Sequence, residues 1–454
     1  MKMKTITTNN SNNIKMKYKL LVVVLLIGFT SIGQNKLWTL QECVKHALEN
    51  NISIKRGENT LLINEQDIKG AKGNFLPSVS SSLSQGLSLG TTLIAEGIFA
   101  NRTSTSTNVG VNVSQTVFNG YRNTYLYKQS QLNLETNELE LNRIKDDLSL
   151  NVANSYLNIL FNKERLETAQ AQYDFSSKQL EQVKSLVDAG VQPRANIFDA
   201  EATLSNDAQS VTVAQNNYNL SLLSLSQLLQ VPFEGFNVQI IEVDNPSAAL
   251  MYNDIAPVLN YALENRNEIK VAKKDIENSE LSTEIAKSGF LPSVSASYGF
   301  GSNAFFTNLS MDEESFFNQL NDNKGHSFNL SVSIPIFSRF QNKTAVAKSK
   351  IREENAKLDL DQAKLTLESN IQRAFTDADA ALKTYIASQK SLAAQELAFG
   401  NSQERYNLGS MNSFELEQAR IRLINAESSL INAKYDFVFK TKVLYFYLGK
   451  TITF

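Results

Sequence analysis

The side chains most able to do chemistry are few, and none stands in a working arrangement. His46 and His326 are the two histidines of the 454-residue chain. They lie far apart with no cysteine beside either, and no His-Glu-x-x-His occurs. Cys43 is the single cysteine, so an intrachain disulfide and a two-cysteine metal site are both excluded. It is expected to be a small packing residue in a helix. Gly449-Lys450-Thr451 has the tail of a phosphate-binding loop, but Leu444 stands where that motif needs glycine. The paired carboxylates Asp146-Asp147 and Glu353-Glu354 fall in heptad-patterned stretches, where solvent-facing positions are expected. With no nucleophile beside a base, no catalytic residue, metal ligand or cofactor site is expected.

Glycine (19) and proline (7) are scarce, which favours long helices. Residues 1–33 have the form of a secretory signal: Lys15, Lys17 and Lys19 precede the apolar run Leu20 to Phe29, and Ser31-Ile32-Gly33 offers small residues for cleavage. The run is shorter than the ~20 residues a spanning helix needs. No cysteine stands at the cleavage point, so a lipid anchor there is not expected. Loss of this segment takes away five lysines and no acids, moving the formal net charge from −2 to −7. An acidic mature chain argues against nucleic acid as a partner. No later segment is apolar enough for a transmembrane helix, so contact with a membrane would be made by strands.

The chain is internally duplicated. Residues 46–80 match 261–295 without a gap, at 15 of 35 positions, including Phe75-Leu76-Pro77-Ser78-Val79-Ser80 against Phe290-Leu291-Pro292-Ser293-Val294-Ser295. A further match, at an offset of 219, carries Val113–Phe118 onto Val332–Phe337 and Gly190 onto Gly409. Such a period is too long for a solenoid and implies two similar halves: 34–232 and 259–454, separated by an insert at 233–258.

Each half passes from helix to strand and back. Residues 121–189 contain no glycine or proline, and Leu134, Leu141 and Leu148 repeat every seven residues beside Leu132 and Leu139. Leu358/Leu365 and Leu360/Leu367 repeat the pattern. Long helices over about 120–189 and 339–408 would each extend roughly 100 Å. Each ends near a glycine and is followed by a second breaker-free run, giving two helical hairpins with tips at 189–194 and 408–413. Between the helices the period is two. Val79, Leu83, Leu87 and Leu89 alternate with Ser and Gly; so do Val109, Val111, Val113 and Val117 with Gly, Asn, Ser and Thr. Strands are expected at about 76–90, 109–118, 291–301 and 327–337, with connecting turns at 91–108 and 302–326.

A half-buried soluble sheet shows the same alternation. Export, an almost uncharged polar face, and Phe75, Phe118, Phe290 and Phe337 at the helix–strand junctions favour a membrane barrel with an aromatic girdle. Four strands cannot close a barrel, and lipid forbids open edges. Two copies would supply eight strands with a side-chain-filled interior; three would supply twelve, which suits a conduit.

This arrangement resembles the TolC-type outer-membrane efflux proteins over roughly 38–450. The resemblance is carried by Trp38-Thr39-Leu40-Gln41-Glu42 onward to Asn51, the two Phe-Leu-Pro-Ser-Val-Ser junctions, and two tips. The second tip reads Tyr406-Asn407-Leu408-Gly409-Ser410-Met411-Asn412-Ser413-Phe414-Glu415. The resemblance implies a mainly α protein with a membrane β part. Its homotrimer would form a 12-stranded β-barrel in outer-membrane lipid, continued by an α-helical periplasmic tunnel with 233–258 in an equatorial band. It implies an exit duct of a tripartite efflux or secretion system of a Gram-negative bacterium, passive towards small molecules or secreted polypeptide. The implied partners are a periplasmic adaptor (membrane fusion protein) and an inner-membrane transporter of RND or ABC type. Docking would use Gly190, Val191, Arg194, Tyr406, Leu408, Gly409, Ser410 and Ser413. The constriction would involve Glu415, six residues after Gly409, and Asn196, six after Gly190. Because Asn196 is neutral, one acidic ring is expected rather than two. The alternative is a periplasmic coiled-coil adaptor that never enters the membrane. It would account for the hairpins but not for four uncharged amphipathic strands.

Overall fold

The computed structural model describes residues 36–241, 254–310 and 314–450. The expected signal at 1–33 and part of the insert lie outside the described residues.

The two halves repeat their main elements in the same order, with one additional short helix in the second. The first contains β1 (Leu37–Trp38), α1 (Leu40–Asn50), α2 (Ile52–Gly73), β2 (Ser78–Ala95), β3 (Ile98–Asn119), α3 (Arg122–Asp188) and α4 (Ala195–Leu229). After β4 (Asn237–Val238), the second contains α5 (Ala256–Asn265), α6 (Asn267–Lys287), β5 (Ser293–Thr307), α7 (Phe316–Asp322), β6 (Gly325–Ser333), α8 (Gln341–Asn407) and α9 (Ser413–Tyr447). Helices α3 and α8 are both 67 residues long, and α4 and α9 both 35. At 1.5 Å per residue the long helices run about 100 Å. Each packs on its own hairpin partner along the tip half. Nearer the strands, α3 packs on α2 and α6, and α8 on α6.

The core sits where the helices are densest. Val152, Tyr156, Ile159 and Leu160 of α3 pack with Leu40 and Cys43 of α1 and with Leu225 and Leu229 of α4. Cys43 is fully buried, and burial pushes its thiol pKa up to about 12; it is a packing residue. Tyr156 donates its hydroxyl hydrogen bond to the Gln239 carbonyl at 2.5 Å. That ties α3 to a small parallel sheet in which Leu37 and Trp38 pair with Asn237 and Val238. Among the described residues of the insert, Asn237–Val238 are the strand. Among the described residues, no helix is long and apolar enough to cross a membrane.

The structure defines the contacts of two further sequence features. Gly449 (φ +65) ends α9, with the Gly449 and Lys450 amides bonded to the Phe446 and Tyr445 carbonyls at 3.0 Å; Gly-Lys is a helix cap. Asp146 and Asp147 are not simply solvated. Asp146 accepts from Asn267 at 3.1 Å and pairs with Arg266, and Asp147 pairs with Arg143 at 2.9 Å.

The strands form one antiparallel sheet in the order β2-β3-β5-β6. They are longer than expected: 18, 22 and 15 residues for β2, β3 and β5, with β6 at 9. Residues 91–108 are therefore mostly strand, turning only at Glu96-Gly97, and 302–307 continue β5. In this outer part both faces carry polar residues, such as Thr103, Thr105 and Thr107 beside Ser104 and Ser106, so the alternation fades while the backbone ladder continues. β6 stops at Ser333, because Pro335 has no N–H to donate.

The connection from sheet to long helix is sharp and duplicated. Gly120 and Tyr121 adopt φ +67 and +63; their counterparts at the 219 offset, Arg339 and Phe340, adopt +49 and +63. A Cβ on Gly120 would come within 2.6 Å of the Ser288 carbonyl oxygen, so this glycine is required by both conformation and space. Arg339 tolerates the same turn under strain worth about 1 kcal/mol. Gly120→Ala should therefore lower the thermal midpoint of the assembled protein, and Arg339→Gly should raise it, as read by helical circular dichroism on heating in detergent.

Candidate functional site

Both hairpin tips are built by the same physics. The last turn of α3 leaves its carbonyls unpaired until Gly190, at φ +74, reverses the chain. The Gly190 amide donates to the Val187 carbonyl and the Val191 amide to the Leu186 carbonyl, both at 2.9 Å. At the end of α8, Gly409 is at φ +73, its amide donates to Tyr406 and the Ser410 amide to Arg405, again both at 2.9 Å. These are Schellman caps, which favour glycine at the left-handed position. Helix α9 then starts with a capping box: the Glu415 amide donates to Asn412 Oδ1 at 2.8 Å, and the Asn412 amide to Glu415 Oε2 at 3.4 Å.

The structure brings the two tips together. Gln192 donates to the Tyr406 hydroxyl at 3.1 Å. A cleft of about 260 Å³ lies between them, lined by Asn196, Asp199, Ser413, Phe414 and Glu417 among others. Gly190, Val191, Arg194, Leu408, Gly409 and Ser410 are exposed, and Ser413 is half-buried. Tyr406, at the same tip, is placed differently from its neighbours. It is only 8% exposed and braces one tip against the other. Phe198 and Phe414, just beyond the turns, are exposed apolar side chains that sequence reasoning passed over. Of the expected constriction pair, Asn196 lines the cleft, bonded to Gln192 at 3.2 Å, while Glu415 is engaged in its helix cap. The carboxylates lining the cleft are Asp199 and Glu417.

A buried ion pair behind the cleft was also missed. Arg420 of α9 and Asp207 of α4 are 6% and 7% exposed and meet at 3.0 Å; Glu417 bonds the same guanidinium at 2.9 Å. Burial alone would push the arginine pKa down, but the hydrogen bonds it donates to the Glu417 and Asp207 carboxylates outweigh it and raise it. The available signal was position: Arg420 lies four residues after Leu416 and one after Ala419, on the buried stripe of α9.

At the other end of the molecule the register decides the chemistry. Paired residues share a face of the sheet. The ladder sets Val79 beside Val113, Tyr298 and Phe328, and Val111 beside Phe300 and His326. It equally sets Ser80 beside Asn112, Gly299 and Ser327. A bulge after Thr116 leaves Val117 out of the ladder and brings Phe118 opposite Val294, onto the apolar face. Four separately amphipathic strands therefore merge into one continuous apolar face and one continuous face of small polar residues. A sheet with this division, carried on helices of 67 residues, matches known proteins. The family model described as outer membrane efflux protein matches residues 43–230 and 258–450.

The chain belongs to the outer membrane efflux protein family.

Members of this family are outer-membrane channel proteins of Gram-negative bacteria, and this chain is an efflux or export channel of that kind. Outer membrane protein TolC of Escherichia coli strain K12 is 21% identical over 430 residues, covering 92% of this chain and 83% of the relative. Outer membrane efflux protein BepC of Brucella suis is 20% identical, covering 91% and 86%. Among solved structures, the outer-membrane channel CmeC of Campylobacter jejuni superposes with a TM-score of 0.74 at 18% identity, covering 92% of this chain and 86% of CmeC. VceC of Vibrio cholerae does so with 0.72 at 16%, covering 91% and 97%. At these identities the superpositions speak for the fold alone.

Within the efflux protein, Arg420 binds the two hairpins to each other. Arg420→Ala would strand the Asp207 carboxylate in the interior, at a cost of about 3–5 kcal/mol. Pairing Arg420→Met with Asp207→Leu should recover most of it. A double-mutant cycle on thermal unfolding in detergent checks this, and a neutral Arg420→Ala would show that the pair carries no such weight.

Proposed function

We propose that this protein works as a homotrimeric exit duct. Its twelve strands would close a barrel in outer-membrane lipid, and its helices would enclose a periplasmic tunnel that passively carries small molecules or secreted polypeptide. The observation that carries this reading is the sheet itself. Its lipid-compatible face is continuous across all four strands, yet β2 and β6 each pair on one side only. Every neighbouring pair is antiparallel, so β6 of one copy and β2 of the next would continue the alternation and close the ring. A second feature supports copies of the same chain. Ile351, Leu358 and Leu365 of α8 form a heptad stripe that is 62%, 59% and 61% exposed, an unfilled coiled-coil seam.

The tips form the inner end of the duct in this reading. Val191 and Leu408, held out by the caps at Gly190 and Gly409, present apolar side chains, with Arg194, Ser410 and Ser413 around them, to a periplasmic adaptor fed by an inner-membrane transporter of RND or ABC type. Glu415 and Asn196 form the constriction just inside. Cargo choice falls to the transporter, and the chain itself catalyses nothing.

The membrane reading is tested on the apolar face. Val113→Lys and Leu330→Lys each place a charge towards lipid, at a cost of about 2–4 kcal/mol near the midplane. Both variants should fail to appear as heat-labile oligomers in the outer-membrane fraction. Normal assembly of both would reject this face as the lipid face.

A further inference from the structure

The polar face of the sheet carries a single charge. Across β2, β3, β5 and β6 the sequence contains no Asp, Glu or Lys, and Arg102 is the one arginine; His326 lies on the apolar face. Arg102 pairs with Gly90 in the ladder. It shares its face with Ser104, Ser106 and Asn108, and through Ser106 with Phe305. Its guanidinium carbon stands 5.0 Å from the centre of the Phe305 ring, a cation–aromatic contact. The wall inward of it is neutral and small: Ser78, Ser80, Ser82 and Ser84 on β2, Asn112 and Gly110 on β3, Gly299 and Gly301 on β5.

Position along the strand fixes where this charge stands. Arg102 is twelve residues from Ser114, which pairs with Ser78 at the helical end of the sheet. At ~3.4 Å per residue that is about 40 Å of strand. Tilted by ~40°, as barrel strands are, it rises about 30 Å, roughly the height of a hydrocarbon core. In the trimeric-duct reading the guanidinium would therefore stand at the far membrane boundary, on the lumenal face.

We propose that Arg102, backed by Phe305, forms a ring of anion-binding sites at the outer mouth of the duct, one from each protomer, and that this ring sets the charge preference of the exit for anionic solutes. The proposal rests on the trimeric-duct reading above. A like-charged ring in a water-filled passage with low-dielectric walls focuses field and concentrates counter-ions. No other strand residue opposes it. The aromatic ring adds an apolar surface beside the charge, which suits organic anions as well as inorganic ones.

The test is current through the purified full-length protein in a planar bilayer, with inorganic tripolyphosphate added to one chamber and then the other. Tripolyphosphate should reduce the current from one side only. Arg102→Gln should weaken that block by about tenfold or more, the lower end of what electrostatic focusing achieves, while Arg102→Lys retains it. Current that is blocked equally in the native protein and Arg102→Gln, or blocked in neither, overturns the proposal while leaving the duct intact. Absence of any current in the native protein overturns the duct reading, and the anion ring with it.

Discussion

An unpaired backbone amide has no partner in hydrocarbon, and each one left there costs several kcal/mol. That constraint organises the molecule. The helices satisfy their own amides, and among the described ones none is apolar enough to enter the bilayer. The sheet is apolar enough on one face, but it ends in two open edges. Only part of an edge is covered within the chain: beyond the end of β6, helix α7 lies against β5. There the Phe305 amide donates to Gln319 Oε1 at 2.8 Å, and Asn323 donates to the Asn303 carbonyl at 2.8 Å. The inner reach of β6 and the whole of β2 have no such cover among the described residues. In the proposed trimer a second copy at each edge would resolve the conflict, and the exposed Ile351–Leu358–Leu365 stripe would let the helices follow the strands around the same axis.

Duplication makes this economical. One strand–turn–helix–tip design, used twice, gives a protomer whose halves can occupy similar places in a ring. The equal lengths of α3 and α8 put both tips at one level, where Gln192 meets Tyr406. The halves have also diverged where their surroundings differ. At the break between the paired short helices, Asn51 caps α2 by accepting from the Ser53 amide at 2.8 Å. The equivalent Arg266 is buried in an ion pair with Glu268, 4.1 Å from the Phe446 ring.

Much of this was legible in the sequence. The repeat, the hairpins, both tip glycines and the apolar side of each strand follow from periodicity and breakers, because helices and membrane strands impose strict periods. Three things were not legible, for physical reasons. Residues 101–107 of β3 carry polar side chains on both faces, so 91–108 resembled a loop. The brace at Tyr406 and the pair Asp207–Arg420 depend on which helices meet, and a Tyr or Arg beside a turn looks like surface until the opposing helix is in place. Glu415 carries two local signals at once: its spacing from Gly409 points to a lumenal acid, and its distance of three from Asn412 makes it the cap partner of α9.

The central claim is that the sheet is incomplete in one chain and complete in three. Native mass spectrometry of the mature protein, extracted from the outer-membrane fraction in mild detergent, counts the chains directly. A heat-labile species of three chains is the predicted result. A single soluble chain recovered from the periplasm would mean that the four strands are an ordinary sheet with tolerated edges, and would contradict the account.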